Sequence, residues 1–226
     1  MLYGKALEPI FATEFSFQLN RIGMKKVLLT LVTVCSFALA TQAQDIRLGL
    51  RGGVNSANIG GEDATSANDF KIGPVVGALA SMPIADGVYL EPELNFSIQG
   101  TRIYGGGTTI KSRLNYINLP IMGRVELTGP LSMTFGPQVG YLLSASGITK
   151  NDDGKGKVDA IDGYNRLDVS IGLGATYLLE ENLHLGVRYN YGLTRVNEPI
   201  ETIDGEEEVN TYNRVLQFTA TYFLDL

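Results

Sequence analysis

The feature that most constrains this chain is a period of two. Between positions 88 and 99, Val88, Leu90, Pro92, Leu94, Phe96 and Ile98 alternate with Tyr89, Glu91, Glu93, Asn95, Ser97 and Gln99. Successive side chains of a strand point to opposite faces, so this spacing gives one apolar and one polar face. A helix would scatter both sets around its circumference. The same parity runs through seven further segments, opening on Ile46, Phe70, Ile117, Leu131, Leu167, Leu183 and Leu216. Most of them run to 10 residues or longer. Soluble strands average about 5–6 residues, whereas a strand crossing a bilayer obliquely needs about 9–11. The excess length favours a membrane.

The connections sort by length. Residues 82–87, 128–130 and 180–182 are tight, while 56–69, 100–112, 145–165 and 195–211 are long and polar. Long and short alternate strictly along the chain. An even-stranded outer-membrane barrel has short periplasmic turns and long outer loops, and a soluble sandwich has no reason to sort them so. The predicted fold class is therefore all-β: an eight-stranded antiparallel up-and-down transmembrane β-barrel, with both termini on the periplasmic side. Phe218, Ala220, Tyr222, Leu224 and Leu226 hold the apolar parity to the end of the chain, the kind of closing strand that barrel-insertion machinery reads.

Ahead of the strands stands a leader. Met24-Lys25-Lys26 precedes the apolar run Val27 to Ala40 and then Thr41-Gln42-Ala43. A basic start, an apolar centre and small residues at a cleavage point read as a secretory signal over 24–43. The run is too short to serve as a membrane anchor, which takes about 20 apolar residues. Residues 1–23 are read as an extension from an upstream start, and 44–226 as the barrel. Removing residues 1–43 takes Lys5, Arg21, Lys25, Lys26, Glu8 and Glu14, leaving 14 basic against 22 acidic residues and a charge of −8. An acidic exported chain argues against a nucleic-acid partner.

In a membrane barrel the apolar face meets lipid and the polar face fills the lumen; in a lipocalin-like soluble barrel the apolar face would line a cavity. Strand length and loop sorting favour the first. The polar face carries charges of both signs: Arg47, Arg51, Lys71, Glu91, Glu93, Arg124, Glu126, Arg166, Asp168 and Arg188. Eight strands enclose room only for their own side chains, and an unpaired charge there is costly. These ten residues are predicted to form an Arg–carboxylate network in a plugged lumen. Tyr141, Tyr177, Tyr189 and Tyr222 lie on the outward parity, where an interfacial girdle is favoured.

Chemistry-bearing motifs are few. One Cys, inside the signal, and one His, His184, leave little room for a zinc ligand set or a Ser-His relay. The 151–159 stretch lacks the spacing and terminal Glu of an EF-hand, and Gly105-Gly106-Gly107 lacks the Lys of a phosphate loop. Both read as loop tips. Glu198, Glu201, Asp204 and Glu206-Glu207-Glu208 make an acidic outer loop. No catalytic, cofactor or metal site is predicted, and the chain is read as non-enzymatic.

Several short stretches carry a resemblance. Asn115-Tyr116-Ile117-Asn118-Leu119-Pro120-Ile121 resembles the "Y-hydrophobic-x-hydrophobic-P" strand of the PorT-like outer-membrane β-barrel proteins of Bacteroidetes. Gly136 to Leu143 is similar to the strand that follows it there, Gly49 to Asn55 to the family's opening "G-x-x-G-G-x-N", and Arg188 to Leu193 to its seventh strand. The resemblance spans 44–226 and implies an eight-stranded outer-membrane barrel. The founding members are tied to protein secretion, a role that transfers to no individual residue here. The expected function is thus a structural or interaction component of a Gram-negative outer membrane, with a narrow porin-like channel as the alternative. Expected partners are outer-membrane lipid and lipopolysaccharide, the barrel-insertion machinery, and proteins met by the outer loops 56–69, 100–112, 145–165 and 195–211.

Overall fold

The computed structural model describes residues 46–64, 68–105, 108–151, 154–202 and 205–224. The leader expected at 24–43 and the extension expected at 1–23 lie outside them. The strands are β1 (Arg47–Gly60), β2 (Asn68–Ala85), β3 (Val88–Gln99), β4 (Thr101–Gly105), β5 (Thr108–Glu126) and β6 (Leu131–Asn151). There follow β7 (Gly154–Asp159), β8 (Leu167–Glu180), β9 (Leu183–Gly192), β10 (Ile200–Thr202), β11 (Gly205–Glu207) and β12 (Tyr212–Phe223).

Eight of these close a ring, in the order β1, β2, β3, β5, β6, β8, β9, β12. The closure is the antiparallel pairing of β1 with β12, from Gly49 opposite Phe223 to Gly60 opposite Tyr212. A closed ring leaves no unpaired strand edge, which a hydrocarbon environment demands. The remaining four strands are additions on the side of the long connections. β4 pairs with β2 and β5, β7 continues from β6, and β10 pairs with β11.

Turn chemistry fixes the other end. β2 and β3 are joined by Asp86-Gly87 alone, with Gly87 at φ +67°. Gly129, at φ +66°, serves the 127–130 turn. Only glycine adopts this left-handed backbone without cost, so both turns can be tight. The connection read as 82–87 is therefore mostly strand. So are parts of the four long connections, and this corrects the loop boundaries. β1 runs on to Gly60, β5 takes in 108–112, and β6 reaches Asn151. These extensions lack a lipid-facing apolar parity because they stand beyond the bilayer, where neither face must be apolar.

Outward residues of the ring are apolar and exposed: Leu50, Val76, Leu94, Leu119, Phe135, Leu173 and Phe218 are each 49 to 60% exposed. Inward residues are polar and buried, among them Asn55, Glu93, Asn95, Asn118, Gln138, Ser170, Arg188 and Asn190. This inversion of a soluble core excludes the lipocalin-like alternative, in which the apolar face would be inside. Outward Tyr141, Tyr177, Tyr189 and Tyr222 are all about half exposed. One parity assignment changes. The register of β5 against β6 shifts between Asn115 and Tyr116, so that Leu143 is a bulge residue. Ser144 consequently faces outward beside Asn115, not into the lumen, and Leu142 and Ala145 face inward and are buried.

Candidate functional site

The candidate site is the lumen itself. β3 serves as a ruler, because its inward residues step from the Asp86-Gly87 turn toward the end with the long connections: Tyr89, Glu91, Glu93, Asn95, Ser97 and Gln99. Every second residue advances about 6.6 Å along a strand.

At the short-turn end, Arg47 donates to Asn182 Oδ1 at 2.5 Å and to the Glu181 carbonyl at 3.1 Å. Its guanidinium lies 4.7 Å from the centre of the Phe223 ring. One step inward, Arg124 donates through Nε to Glu91 at 2.7 Å and through Nη1 to Glu126 at 3.0 Å. Its guanidinium stacks 3.7 Å from the centre of the Tyr89 ring, and Ser81 Oγ donates to Glu91 at 3.0 Å. The Glu126 side chain is 47% exposed at the rim.

The next level is the hub. The Glu93 side chain is fully buried and takes both Nη groups of Arg188, at 2.7 and 2.9 Å. Arg51 Nη1 reaches the same carboxylate at 2.5 Å, and Asn95 Nδ2 at 2.9 Å. Arg51 also donates through Nε to Thr221 Oγ1 at 2.9 Å. β3 and β9 stand four places apart in a ring of eight, so the Glu93–Arg188 pair spans the full diameter of the lumen. A two-pronged guanidinium–carboxylate pair is among the strongest polar contacts and fixes geometry as well as charge. Space for it comes from glycine. A Cβ on Gly77 would collide with Asn95 Oδ1, and one on Gly172 would lie 3.2 Å from Arg188 Cδ.

Beyond the hub the lumen is mostly amide and hydroxyl, with Asp168 and Lys71 the charged groups among them. Asn55 donates to Ser97 Oγ at 2.8 Å, and Gln138 to Ser170 Oγ at 3.2 Å. Farther out, Asn213 Nδ2 donates to Asp168 Oδ1 at 2.8 Å and touches Tyr116 Oη at 3.4 Å. β5 and β12 also face each other across the ring, which makes Tyr116–Asn213 a second crossbar. The outer mouth is then closed by carbon: Ile59, Leu114, Tyr116, Leu142, Ala145 and Val196, against which Ile161 and Tyr164 pack.

The ten residues expected to form one network thus divide. Arg51, Glu93 and Arg188 make one cluster; Glu91, Arg124 and Glu126 make another. Four fall outside any Arg–carboxylate pair. Arg47 bonds to a turn amide and carbonyl, as above. Lys71 Nζ donates to the Gln99 carbonyl at 2.7 Å. Gln99 lies six residues along β3 from Glu93, about 20 Å, which is beyond a lysine's reach. Asp168 takes its proton donor from an amide. Arg166 precedes β8, is exposed, and sits at the mouth rather than in the lumen. Sequence reasoning missed Ser81, Asn95 and Thr221 as partners although their parity places them inward. It also missed the apolar closure, because the Tyr141-Leu142-Leu143 run has no readable parity once a bulge intervenes. His184 is buried beside the Phe223 ring at 4.8 Å, and its Nε2 has no protein partner. Between His184, Arg51, Arg124, Arg188 and Glu91 lies a cavity of about 10 Å³, the size of one water.

Residues 42–198 match the family described as outer membrane protein beta-barrel domain. Neisserial surface protein A is 14% identical, covering 77% of this chain and 96% of its own, with a TM-score of 0.46. A major outer membrane protein of Thermus thermophilus is 13% identical over 80% of this chain and 100% of its own, with a TM-score of 0.48. The attachment invasion locus protein Ail of Yersinia pestis is 9% identical over 79% and 98%, with a TM-score of 0.45. No curated protein matches the chain.

Proposed function

The chain belongs to the family of outer-membrane protein β-barrel domains, and from that premise we propose a Gram-negative outer-membrane barrel whose lumen is closed. Such a barrel acts through its outer walls and turns, as a structural or interaction component. The observation that carries this reading is the Glu93–Arg188 pair, which bridges opposite walls of the ring with a fully buried carboxylate. The Tyr116–Asn213 crossbar and the carbon closure at the mouth add two further obstacles in series. Reconstitution in planar bilayers tests it: no steady current is expected, and a sustained ohmic current would overturn the closed lumen.

A narrow ion path is the second reading, favoured by one observation. Both amide atoms of Asn118 and of Asn190 are buried without a protein partner. Buried amides left so normally hold water, and hydrated amides midway along a lumen could pass small ions. The same recording decides, since this reading requires the current that the first forbids.

The reading is also non-enzymatic. The inward carboxylates Glu91, Glu93 and Asp168 are each held by an arginine or an amide, and His184 lies beside a Phe ring. The strands that resemble PorT-like proteins of Bacteroidetes support a narrower proposal, a component serving protein secretion. Contacts would then be made by the outer hairpins or by the turns at 86–87, 127–130 and 181–182. Deleting the gene and assaying secreted proteins in the medium tests this, and unchanged secretion would sink it. The alternating Phe218, Ala220, Tyr222 and Leu224 support recognition by the barrel-insertion machinery.

A further inference from the structure

We infer that the outer wall formed by β5, β6 and β7 carries a binding site for the phosphate groups of an outer-leaflet glycolipid. The inference rests on the outer-membrane reading and names a partner for one face of it.

On β5 the apolar belt ends at Ile117. Ile117 and Tyr141 are paired, outward and 40 and 49% exposed. Above them the outward parity changes character abruptly. Asn115 follows Ile117, with its Nδ2 donating to Ser144 Oγ at 2.7 Å, and then come Arg113 and Lys111. The bulge at Leu143 is what turns Ser144 outward to meet Asn115. Arg113 lies opposite Ser146, which lies opposite Asp159; Lys111 lies opposite Ile148, which lies opposite Lys157. Three cations therefore share one face of a continuous three-stranded wall.

Their height is set by the strand. Arg113 is four residues beyond Ile117, about 13 Å along β5 and about 10 Å along the membrane normal at a barrel's usual tilt. That is the depth of lipid headgroups, and a long basic side chain can reach down to them. A groove of about 560 Å³ opens here, lined by Arg113, Asn115, Ser144, Ser146, Lys157 and Asp159. Arg113 Nε is held by Asn115 Oδ1 at 3.4 Å, a bond that leaves the rest of the guanidinium free to take an anion. Among the described residues, no carboxylate pairs with Arg113, Lys111 or Lys157. The groove holds one acid, Asp159, which accepts the Ile161 N–H at 3.1 Å and lies opposite Ser146, two strands from Arg113. One arginine and two lysines on one wall, outnumbering the single carboxylate beside them and flanked by serine hydroxyls, are a donor set for a phosphate ester. Arg113 and Lys157 are exposed and Lys111 is half-buried, and basic side chains at this height are drawn to an anionic lipid surface.

The test uses the folded full-length barrel in zwitterionic micelles. Binding of fluorescent bisphosphorylated lipid A is compared with that of the same lipid stripped of phosphate. Tighter binding of the phosphorylated form is expected, weakening about fivefold per cation removed. The combined variant Lys111→Ser, Arg113→Ser, Lys157→Ser should lose most of the preference, while Arg166→Ser should keep it. Equal binding of the two lipids, or an unchanged preference in the triple variant, overturns the site. Inorganic pyrophosphate binding as tightly as the glycolipid would overturn its assignment to a membrane lipid. A heat-shifted band on SDS gels reports the closed barrel independently, so a failure of the outer-membrane reading shows separately from a failure of this one.

Discussion

Substituting Glu93 separates a structural hub from an ornament. Its carboxylate is fully buried and receives three guanidinium hydrogen bonds, two from Arg188 and one from Arg51, besides the Asn95 amide. Glu93→Ala leaves both arginines, each less than a tenth exposed, without a counter-charge in a lumen too narrow to hydrate them well. Removing one partner of a buried ion pair costs about 3–5 kcal/mol, and no solvent screening discounts that figure for a group with no exposure. Glu126→Ala is the internal control. Its bond to Arg124 is at the rim, and its side chain is 47% exposed, so a loss below about 1 kcal/mol is expected. Urea unfolding of the two variants in lipid vesicles measures the difference. Replacing Glu93, Arg51 and Arg188 together with leucine should recover much of the loss, because no charge is then left stranded. A Glu93→Ala loss no greater than that of Glu126→Ala would refute the hub.

Three further outcomes follow from the geometry. Gly77→Val should prevent barrel formation or destabilise it severely, because its Cβ meets Asn95 Oδ1 and the Leu94 carbonyl; Gly52→Val, with nothing within 4 Å, should fold, and heat-shifted gel bands compare them. Leu173→Arg, on the lipid-facing belt, should cost about 2–4 kcal/mol in vesicle unfolding, and Leu131→Arg beside the periplasmic turn about 1 or less; equal costs would misplace the bilayer. Leu142→Ala should cost about 2–4 kcal/mol, since its side chain is fully buried in the mouth closure, and more than Leu143→Ala, whose side chain faces outward; the same titrations check the order.

Parity made the ring legible. A lipid on one side and a packed lumen on the other force opposite chemistries on alternate residues, and every inward position from Tyr89 to Gln99 on β3 follows that rule. Which inward charges touch was not legible, because contact depends on stagger. Glu91 and Glu93 are equivalent in sequence, yet the first faces Arg124 on the adjacent strand and the second faces Arg188 across the lumen. Lys71 and Asp168 share the inward parity and pair with neither. A one-residue bulge at Leu143 reverses the parity of all that follows on β6, and nothing in Tyr141-Leu142-Leu143 announces it. The long connections were misjudged for a related reason: parity is imposed by lipid, and it vanishes where the wall leaves the lipid although the hydrogen-bonded strand goes on.

That boundary also decides where such a protein can specialise. Inside the bilayer each residue answers to lipid or to a lumen one side chain wide, and most substitutions are penalised on one account or the other. Above it, β5 and β6 continue with β4 and β7 at their flanks, and the same ladder now offers two faces free of both demands. The outward face of that extension carries Lys111, Arg113 and Lys157; the inward side closes on Ile59, Leu114 and Leu142. The carbon closure packs the inner side of β5 and β6, and β7 is tied to them through its pairing with β6, which restrains the strands that bear the cations. A binding surface on a rigid sheet loses little conformational entropy when it engages a ligand. The buried mouth and the charged outer wall are therefore two faces of one construction, the first holding still the strands that present the second.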